Sequence, residues 1–316
     1  MKAHLKKLGK AVFATAILCL LFYLVDLKEL WLAFSNLTLP AIVNLLLISA
    51  ILIYISALKW SYFLEAFSGR VSVLKLFNLY LVGYFVNLLM PSYLGGDAVR
   101  SYYAGKKSGQ HEALTATILE RYTGLAAMLM LGLIFMWFSA LATLPIKLAV
   151  AGIALALATI TVMALSPRLL AQLGRIPQLK DPLRHLQKIQ AGFILAKSNH
   201  LLLIKALALS FLYHSVTVAN TMAAGMAVGW YDAPVLDLFV VLPLILVVGA
   251  LPFAPQGLGI QEGAFFYFLQ GVGATPAQAL GIALILRAKS YVLALSGGIA
   301  WLFVRSESIN PDSETI

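Results

Sequence analysis

The stretch that most constrains this chain is 87–100, which reads Asn-Leu-Leu-Met-Pro-Ser-Tyr-Leu-Gly-Gly-Asp-Ala-Val-Arg. It interrupts an apolar run. The segment before it, 76–86, can enter a bilayer but is too short to cross one comfortably. Pro91 removes a backbone donor and restricts Met90. Gly95 and Gly96 open backbone conformations closed to other residues. Asp97 and Arg100 are three apart, so a helix starting near Gly96 carries both on one side. Charges and broken backbone at membrane depth persist only where they are buried in protein or line a polar cavity. A surface loop at the end of a short transmembrane helix is the simpler alternative.

A second stretch has the same form. Residues 252–262 read Pro-Phe-Ala-Pro-Gln-Gly-Leu-Gly-Ile-Gln-Glu. Pro255-x-x-Leu258-Gly259 matches Pro91-x-x-Leu94-Gly95, and an acid follows each, Glu262 or Asp97. Gly257 loosens the second break further. Downstream of each break an arginine lies inside an apolar segment, Arg121 in the first half and Arg287 in the second. Paired broken helices at corresponding places in two halves point to a transporter's binding site.

Composition sets the class. The chain is 61% hydrophobic and 11% charged, with mean hydropathy +0.90. That profile fits an all-α polytopic membrane protein and excludes an ordinary soluble domain. The lysines of the N-terminus, followed by an apolar run from Ala11, resemble a signal peptide. No small-residue cleavage site follows, so a retained first helix is expected. A lone cysteine, Cys19, leaves no intrachain disulfide and no cysteine-based metal site. A net charge of +10 could suit nucleic acid. Here most lysines and arginines fall in a few loops, which fits membrane topology and no nucleic-acid partner.

Apolar segments lie at 8–25, 41–63, 75–90, 113–138, 147–165, 201–228, 235–253, 256–270 and 277–304. Full crossing by 75–90 would put Lys106 and Lys107 opposite Arg70 and Lys75. If 75–104 instead enters and returns, every basic loop falls on one side: the N-terminus, 59–75, 100–112, 166–200 and Arg305. The opposite loops then carry only Lys28 and Lys147. The same logic makes 235–270 a hairpin entering from the other face. Six crossings, two re-entrant hairpins related as in an inverted repeat, and both termini in the cytoplasm follow. Eight full crossings by longer, tilted helices are the rival arrangement. Residues 1–305 form a single transmembrane domain, and 306–316 are expected to be a disordered tail. In 166–200, Leu183, Leu186, Ile189 and Phe193 recur at helical spacing among basic residues. A helix on the inner membrane surface and a solvated loop both fit.

Glu120, Arg121, Arg287 and Lys289 sit inside apolar segments. Each such charge costs roughly 2.5–3.5 kcal/mol at mid-bilayer on insertion scales. Pairing of Asp97 with Arg121, or of Glu262 with Arg287, would account for them structurally. The other reading is a bound anion or lipid headgroup. In that reading, helices starting at Gly96 and Gly259 aim free N–H groups at a phosphate. Tyr213 and His214 read as packing residues. Ser296-Gly297-Gly298 reads as a close helix contact. No metalloprotease, nucleotide-binding or nucleophile-elbow motif is present, so no enzyme activity, cofactor or metal is expected.

The Asn-Leu-Leu-x-Pro-x-x-x-Gly-Gly-Asp-x-x-Arg run, Glu120-Arg121 and Pro255-x-Gly-Leu-Gly-x-x-Glu262 resemble the transmembrane region of lysylphosphatidylglycerol synthases, also called the flippase-like domain family. The resemblance covers nearly the whole chain. It implies Asp97, Arg100, Glu120, Arg121 and Glu262 as signature positions, and Arg287 joins them on the physical reading above. In full-length synthases this region precedes a soluble aminoacyl-transferase domain and is associated with moving the modified lipid between leaflets. This chain stops near 305 without that domain, so no synthesis of aminoacyl lipid is expected. The leading expectation is an inner-membrane translocase of a phosphate-bearing or polyprenyl-linked lipid. Its six candidate substrate-binding residues are Asp97, Arg100, Glu120, Arg121, Glu262 and Arg287. Its re-entrant loops hold Asn87, Pro91, Gly95, Gly96, Pro255, Gly257 and Gly259. A membrane scaffold for a lipid-modifying or glycosyltransferase partner is the second expectation. An ion-coupled transporter of small solutes is the third.

Overall fold

The computed structural model describes residues 2–67, 69–90, 94–166, 190, 192–194, 196, 198–251 and 254–309. The elements used below are all helices: α1 (Lys2–Tyr23), α2 (Leu27–Ser35), α3 (Leu39–Phe67), α4 (Val73–Leu89), α5 (Leu94–Ser108), α6 (Gln110–Phe135), α7 (Leu144–Leu165), α8 (His200–Ala227), α9 (Val235–Gly249), α10 (Ile260–Gln270) and α11 (Pro276–Ile309). A 3-10 turn, Pro255–Gly257, precedes α10. Five of the described helices, α3, α6, α7, α8 and α11, are long and apolar enough to cross a bilayer. α1 is a helix of 22 residues whose apolar part, Val12–Tyr23, is shorter than those spans.

Side-chain contacts orient the bundle. At one end, Trp301 Nε1 of α11 donates to the Tyr103 hydroxyl of α5. Gly297 and Gly298 of α11 lie against Leu81 and Phe85 of α4, and a Cβ added at Gly297 would sit 1.8 Å from the Leu81 carbonyl oxygen. This is the close contact expected of Ser296-Gly297-Gly298. At the other end, Gln278 of α11 donates to the Gly229 carbonyl just past α8. There the buried Asp237 of α9 accepts from Ser139 Oγ and from the amides of Leu141 and Ala142 in the α6–α7 loop. The base of the α4–α5 hairpin therefore lies at the C-terminal end of α11, and that of the α9–α10 hairpin at its N-terminal end.

Neither hairpin runs the length of the bundle. α4 has 17 residues and α10 only 11, about 26 Å and 17 Å of helix at 1.5 Å per residue, against about 30 Å of hydrocarbon. Their tips meet. Gln256 Nε2, at the second tip, donates to the Asn87 carbonyl at the first. Arg287 touches Gln256 and lies near the middle of the apolar stretch Pro276–Leu302 of α11. Two hairpins thus enter from opposite ends and turn back halfway, the relation an inverted repeat produces.

Packing follows this frame. One core joins α6–α11 around Val150, Trp230, Ile245 and Leu269. Another joins α3, α4, α6 and α8 around Trp60, Phe63, Leu79 and Leu119. α7 is peripheral: only 6% of its apolar window is buried, against 39% for α6. Its exposed leucines and valines suit a hydrocarbon solvent rather than water.

Some expectations change. Lys59, assigned above to the basic loop 59–75, is buried within α3. Arg100, assigned to loop 100–112, is buried within α5. The basic loops still lie at one end without them, because Arg70, Lys75 and Lys106 remain there. α11 continues to Ile309, so any tail begins later than 306; residues 310–316 lie outside the described residues. So do Pro91 and Leu183, Leu186 and Ile189. Phe193, expected on a surface helix or loop, instead packs on Tyr122 of α6 with ring centroids 4.9 Å apart, beside the buried Ala196.

Candidate functional site

The first charge network joins α3, α5 and α6. Glu120 is its hub: Oε1 lies 3.2 Å from Lys59 Nζ, and Oε2 accepts from Arg100 Nη2 at 2.9 Å. Lys59 also donates to Ser210 of α8 at 3.1 Å. Arg100 Nε reaches Asp97 Oδ1 at 2.9 Å. Arg121 grips both Asp97 oxygens, Nε to Oδ2 at 3.0 Å and Nη2 to Oδ1 at 2.8 Å. Such fork-shaped pairs combine charge with fixed geometry. Side-chain exposure is 1% for Arg100, 4% for Lys59 and 6% for Glu120, against 58% for Arg121.

Two aromatic rings enclose Arg100. Its guanidinium carbon lies 4.5 Å from the Trp60 ring centroid and 4.1 Å from that of Tyr80. Arg100 Nη1 has no hydrogen-bond partner among the described residues, and the two π faces supply attraction that a missing acceptor does not.

The second network lies at the second hairpin. Glu262 Oε2 accepts from the Gly259 amide at 2.7 Å, and Oε1 accepts from Arg287 Nε at 2.5 Å. Arg287 also donates to the Gln256 carbonyl at 3.1 Å and to Gln261 Oε1 at 3.2 Å. The turn requires left-handed backbone: φ is 49° at Gln256, 62° at Gly257 and 79° at Gly259. Gln256 is the one non-glycine residue with positive φ among the described residues. Its side chain reaches the first hairpin at the Asn87 carbonyl.

A cavity of about 170 Å³ opens beside this pair, between α3, α4, α8, α9, α10 and α11. Ser49, Tyr84, Tyr213 and Thr217 contribute to its polar wall, and Glu262, Arg287 and Lys289 bring charge to it. Lys289 Nζ donates to Asn220 Oδ1 at 3.0 Å. The face of α8 that borders α3 carries Ser210, Tyr213, Thr217 and Asn220 at helical spacing. It runs from this cavity to Lys59, about 15 Å at 1.5 Å per residue. Among the described residues no cluster of His, Cys, Asp and Glu could hold a metal ion.

The six residues singled out from sequence therefore fall into two groups. Asp97, Arg100, Glu120 and Arg121 join at the first hairpin, while Glu262 and Arg287 pair at the second. Both anticipated pairs, Asp97–Arg121 and Glu262–Arg287, are present. Glu120, next to Arg121 in sequence, pairs with Lys59 and Arg100. The glycine amides are not open phosphate donors: Gly96 N–H donates to Asn87 Oδ1 at 2.7 Å, and that of Gly259 goes to Glu262. Nor do these glycines hold a gap open. A Cβ at Gly96 would lie 2.3 Å from the Gly83 carbonyl oxygen, and one at Gly259 2.8 Å from that of Ala14. Sequence reasoning missed Lys59 because it lies at the edge of an apolar run close to loop lysines. It noted Lys289 without assigning it a role.

Residues 8–298 match the lysylphosphatidylglycerol synthase TM region. The chain belongs to that family. A further relative is a UPF0104 membrane protein of Methanothermobacter thermautotrophicus, 24% identical over 274 residues, 79% of this chain and 81% of that protein. No solved structure matches. The family match runs through both hairpins and both charge networks, from α1 into α11.

Proposed function

We propose that this member of the family moves a phosphate-bearing lipid between leaflets, its headgroup passing between the two hairpin tips while its tails stay in hydrocarbon. The observation that carries this reading is the polar, cation-bearing cavity where two opposed hairpins turn back. An isolated charge at that depth is costly, and irregular backbone there is tolerated where it lines a cavity. The family name supports a lipid context. The basic end of the bundle, with Arg70, Lys75 and Lys106, is then the cytoplasmic end.

The test is leaflet exchange of labelled anionic phospholipid or polyprenyl phosphate in vesicles holding the purified protein, with and without a proton or sodium gradient. Exchange above protein-free vesicles is expected for at least one lipid. None for any lipid sinks the reading. Orientation is tested in a Cys19→Ser background: a cysteine at position 106 is expected to resist an impermeant thiol reagent added outside, and one at 232 to react.

One observation favours a second reading, a scaffold for a lipid-modifying or glycosyltransferase partner. The acids and buried cations of the first network satisfy one another, which suits a structural role. Wild-type support of a partner enzyme by a variant with its cavity filled would favour it.

A further inference from the structure

Beyond the Lys59–Glu120 pair and Arg121, which is held by Asp97, the cations Arg100, Arg287 and Lys289 approach the middle of the bundle, and their surroundings differ. Arg100 is enclosed by Asp97, Glu120 and two rings. Arg287 is held by Glu262, Gln261 and the Gln256 carbonyl. Lys289 has a neutral partner, Asn220, and no carboxylate forms an ion pair with it among the described residues. It also lines the central cavity. Glu262 and Arg287 cancel each other there, so the wall of that cavity carries one uncompensated positive charge. Tyr84 and Tyr213 bring phenol hydroxyls to it, groups that can donate to an anion, while the hydroxyls of Thr217 and Ser290 already donate to the Tyr213 and Leu286 carbonyls. A volume of about 170 Å³ holds several waters or one small tetrahedral group. Asn220 accepts with its oxygen, which fixes the ammonium and leaves two further N–H donors on it.

We infer that Lys289 is the residue that reads the substrate's charge, and that the cavity takes a phosphate group through the Lys289 ammonium and the tyrosine hydroxyls beside it. This deepens the lipid-translocase reading and rests on it for the lipid, not for the phosphate. It moves phosphate recognition away from Arg100 and Arg287. Arg100 and Arg287 become positioning residues that hold the hairpins in place. A cationic headgroup would meet an ammonium here with no free carboxylate to receive it.

The experiment uses the full-length protein in nanodiscs of zwitterionic lipid and measures binding of dodecyl phosphate, inorganic phosphate and dodecanol at matched ionic strength. Wild type is expected to bind dodecyl phosphate well above dodecanol. Lys289→Met is expected to weaken that binding by about tenfold or more, the loss of one charge-assisted hydrogen bond. Lys289→Arg, which keeps the charge, is expected to stay within about threefold of wild type, a gap well under 1.4 kcal/mol. Equal binding of dodecyl phosphate by Lys289→Met and wild type overturns the inference, as does equal binding of dodecanol and dodecyl phosphate by wild type. Inorganic phosphate competing as well as dodecyl phosphate upholds the phosphate site and assigns it a soluble ligand. A requirement for the tail upholds it and assigns a lipid. Failure of the translocase reading is distinguishable: phosphate binding that depends on Lys289, with no leaflet exchange in vesicles, leaves the site standing and removes the transport. A monodisperse gel-filtration profile for each variant separates loss of binding from loss of fold.

Discussion

The two hairpins hold similar residues in different ways. At the first, Lys59, Asp97, Arg100, Glu120 and Arg121 form a closed web in which each acid serves two cations. At the second, Glu262 serves one cation and one backbone amide, and the neighbouring Lys289 is left facing a cavity. The first web ties three helices together, with Lys59, Arg100 and Glu120 buried. The second leaves a charge available. A membrane protein can therefore use one set of residue types as an internal clamp and as a reading head. What separates them is partnership: at the first hairpin each cation has a carboxylate beside it, and at the second Lys289 has a neutral amide.

The sharpest way to break this comparison is at Arg100. Arg100→Met takes one of two cations from Glu120 and from Asp97 and removes the cation from between Trp60 and Tyr80. Breaking a buried pair from one side costs roughly 3–5 kcal/mol, so Arg100→Met and Glu120→Gln are expected to unfold or aggregate in detergent. Thermal unfolding followed by tryptophan fluorescence checks this. A folded Arg100→Met that lacks only transport would place Arg100 with the substrate after all.

Next in size are the glycines. Gly96→Leu forces side-chain atoms against the Gly83 backbone, and Gly297→Leu does so against Leu81. Overpacking of this kind costs about 1–3 kcal/mol and sometimes more, and backbone atoms yield less readily than side chains. Both variants are expected to lose thermal stability. Gly152→Ala in α7 is the control, since a Cβ there meets nothing within 4 Å; it should gain up to about 1 kcal/mol from helix propensity. Full stability of Gly96→Leu would show that this close contact with Gly83 does not constrain the hairpin.

How much of this was legible beforehand depended on distance along the chain. The hairpins were legible because Pro255, Gly95 and Gly96 act on their own backbone. The capping of Gly259 by Glu262 was also within reach, since an acid three residues after a helix start is a local signal. Gly96 is capped by Asn87 from across the turn, nine residues away, and no local pattern announces that. The role of Lys59 is further off still, because its partner Glu120 lies on another helix. Charge counting put Lys59 in a loop, where most lysines belong. Arg121 pairs with Asp97 as anticipated, while the partners of Glu120, Lys59 and Arg100, were not, because neighbours on a helix point in different directions.

Within the first web, exposure sets a gradation. Arg121 makes two good hydrogen bonds to Asp97, yet its side chain is 58% exposed. Arg121→Gln is expected to lose about 1 kcal/mol, the range of an accessible pair, several-fold less than Arg100→Met. Unfolding midpoints in nanodiscs give the ratio. An equal loss would show that the five charges stand or fall as one unit.

The smallest effect on stability is expected at Lys289, and its smallness is what makes it informative. The ammonium has one neutral partner, Asn220, in a wall of partly apolar side chains. Lys289→Met therefore removes a desolvated charge and one hydrogen bond while keeping most of the volume. These changes oppose each other. An unpaired buried charge is costly, and a hydrogen bond to a charged group contributes roughly 1.5–3 kcal/mol. The net change is expected to stay within about 1 kcal/mol of wild type, with either sign, as for substitutions that break no network. The comparison then takes its sharpest form. Arg100 and Lys289 are both cations facing the middle of the same bundle, and neutralising one should remove the fold while neutralising the other leaves it intact. If Lys289→Met instead costs several kcal/mol in lipid-free detergent, Lys289 is a clamp like Arg100, and the contrast between the two hairpins fails.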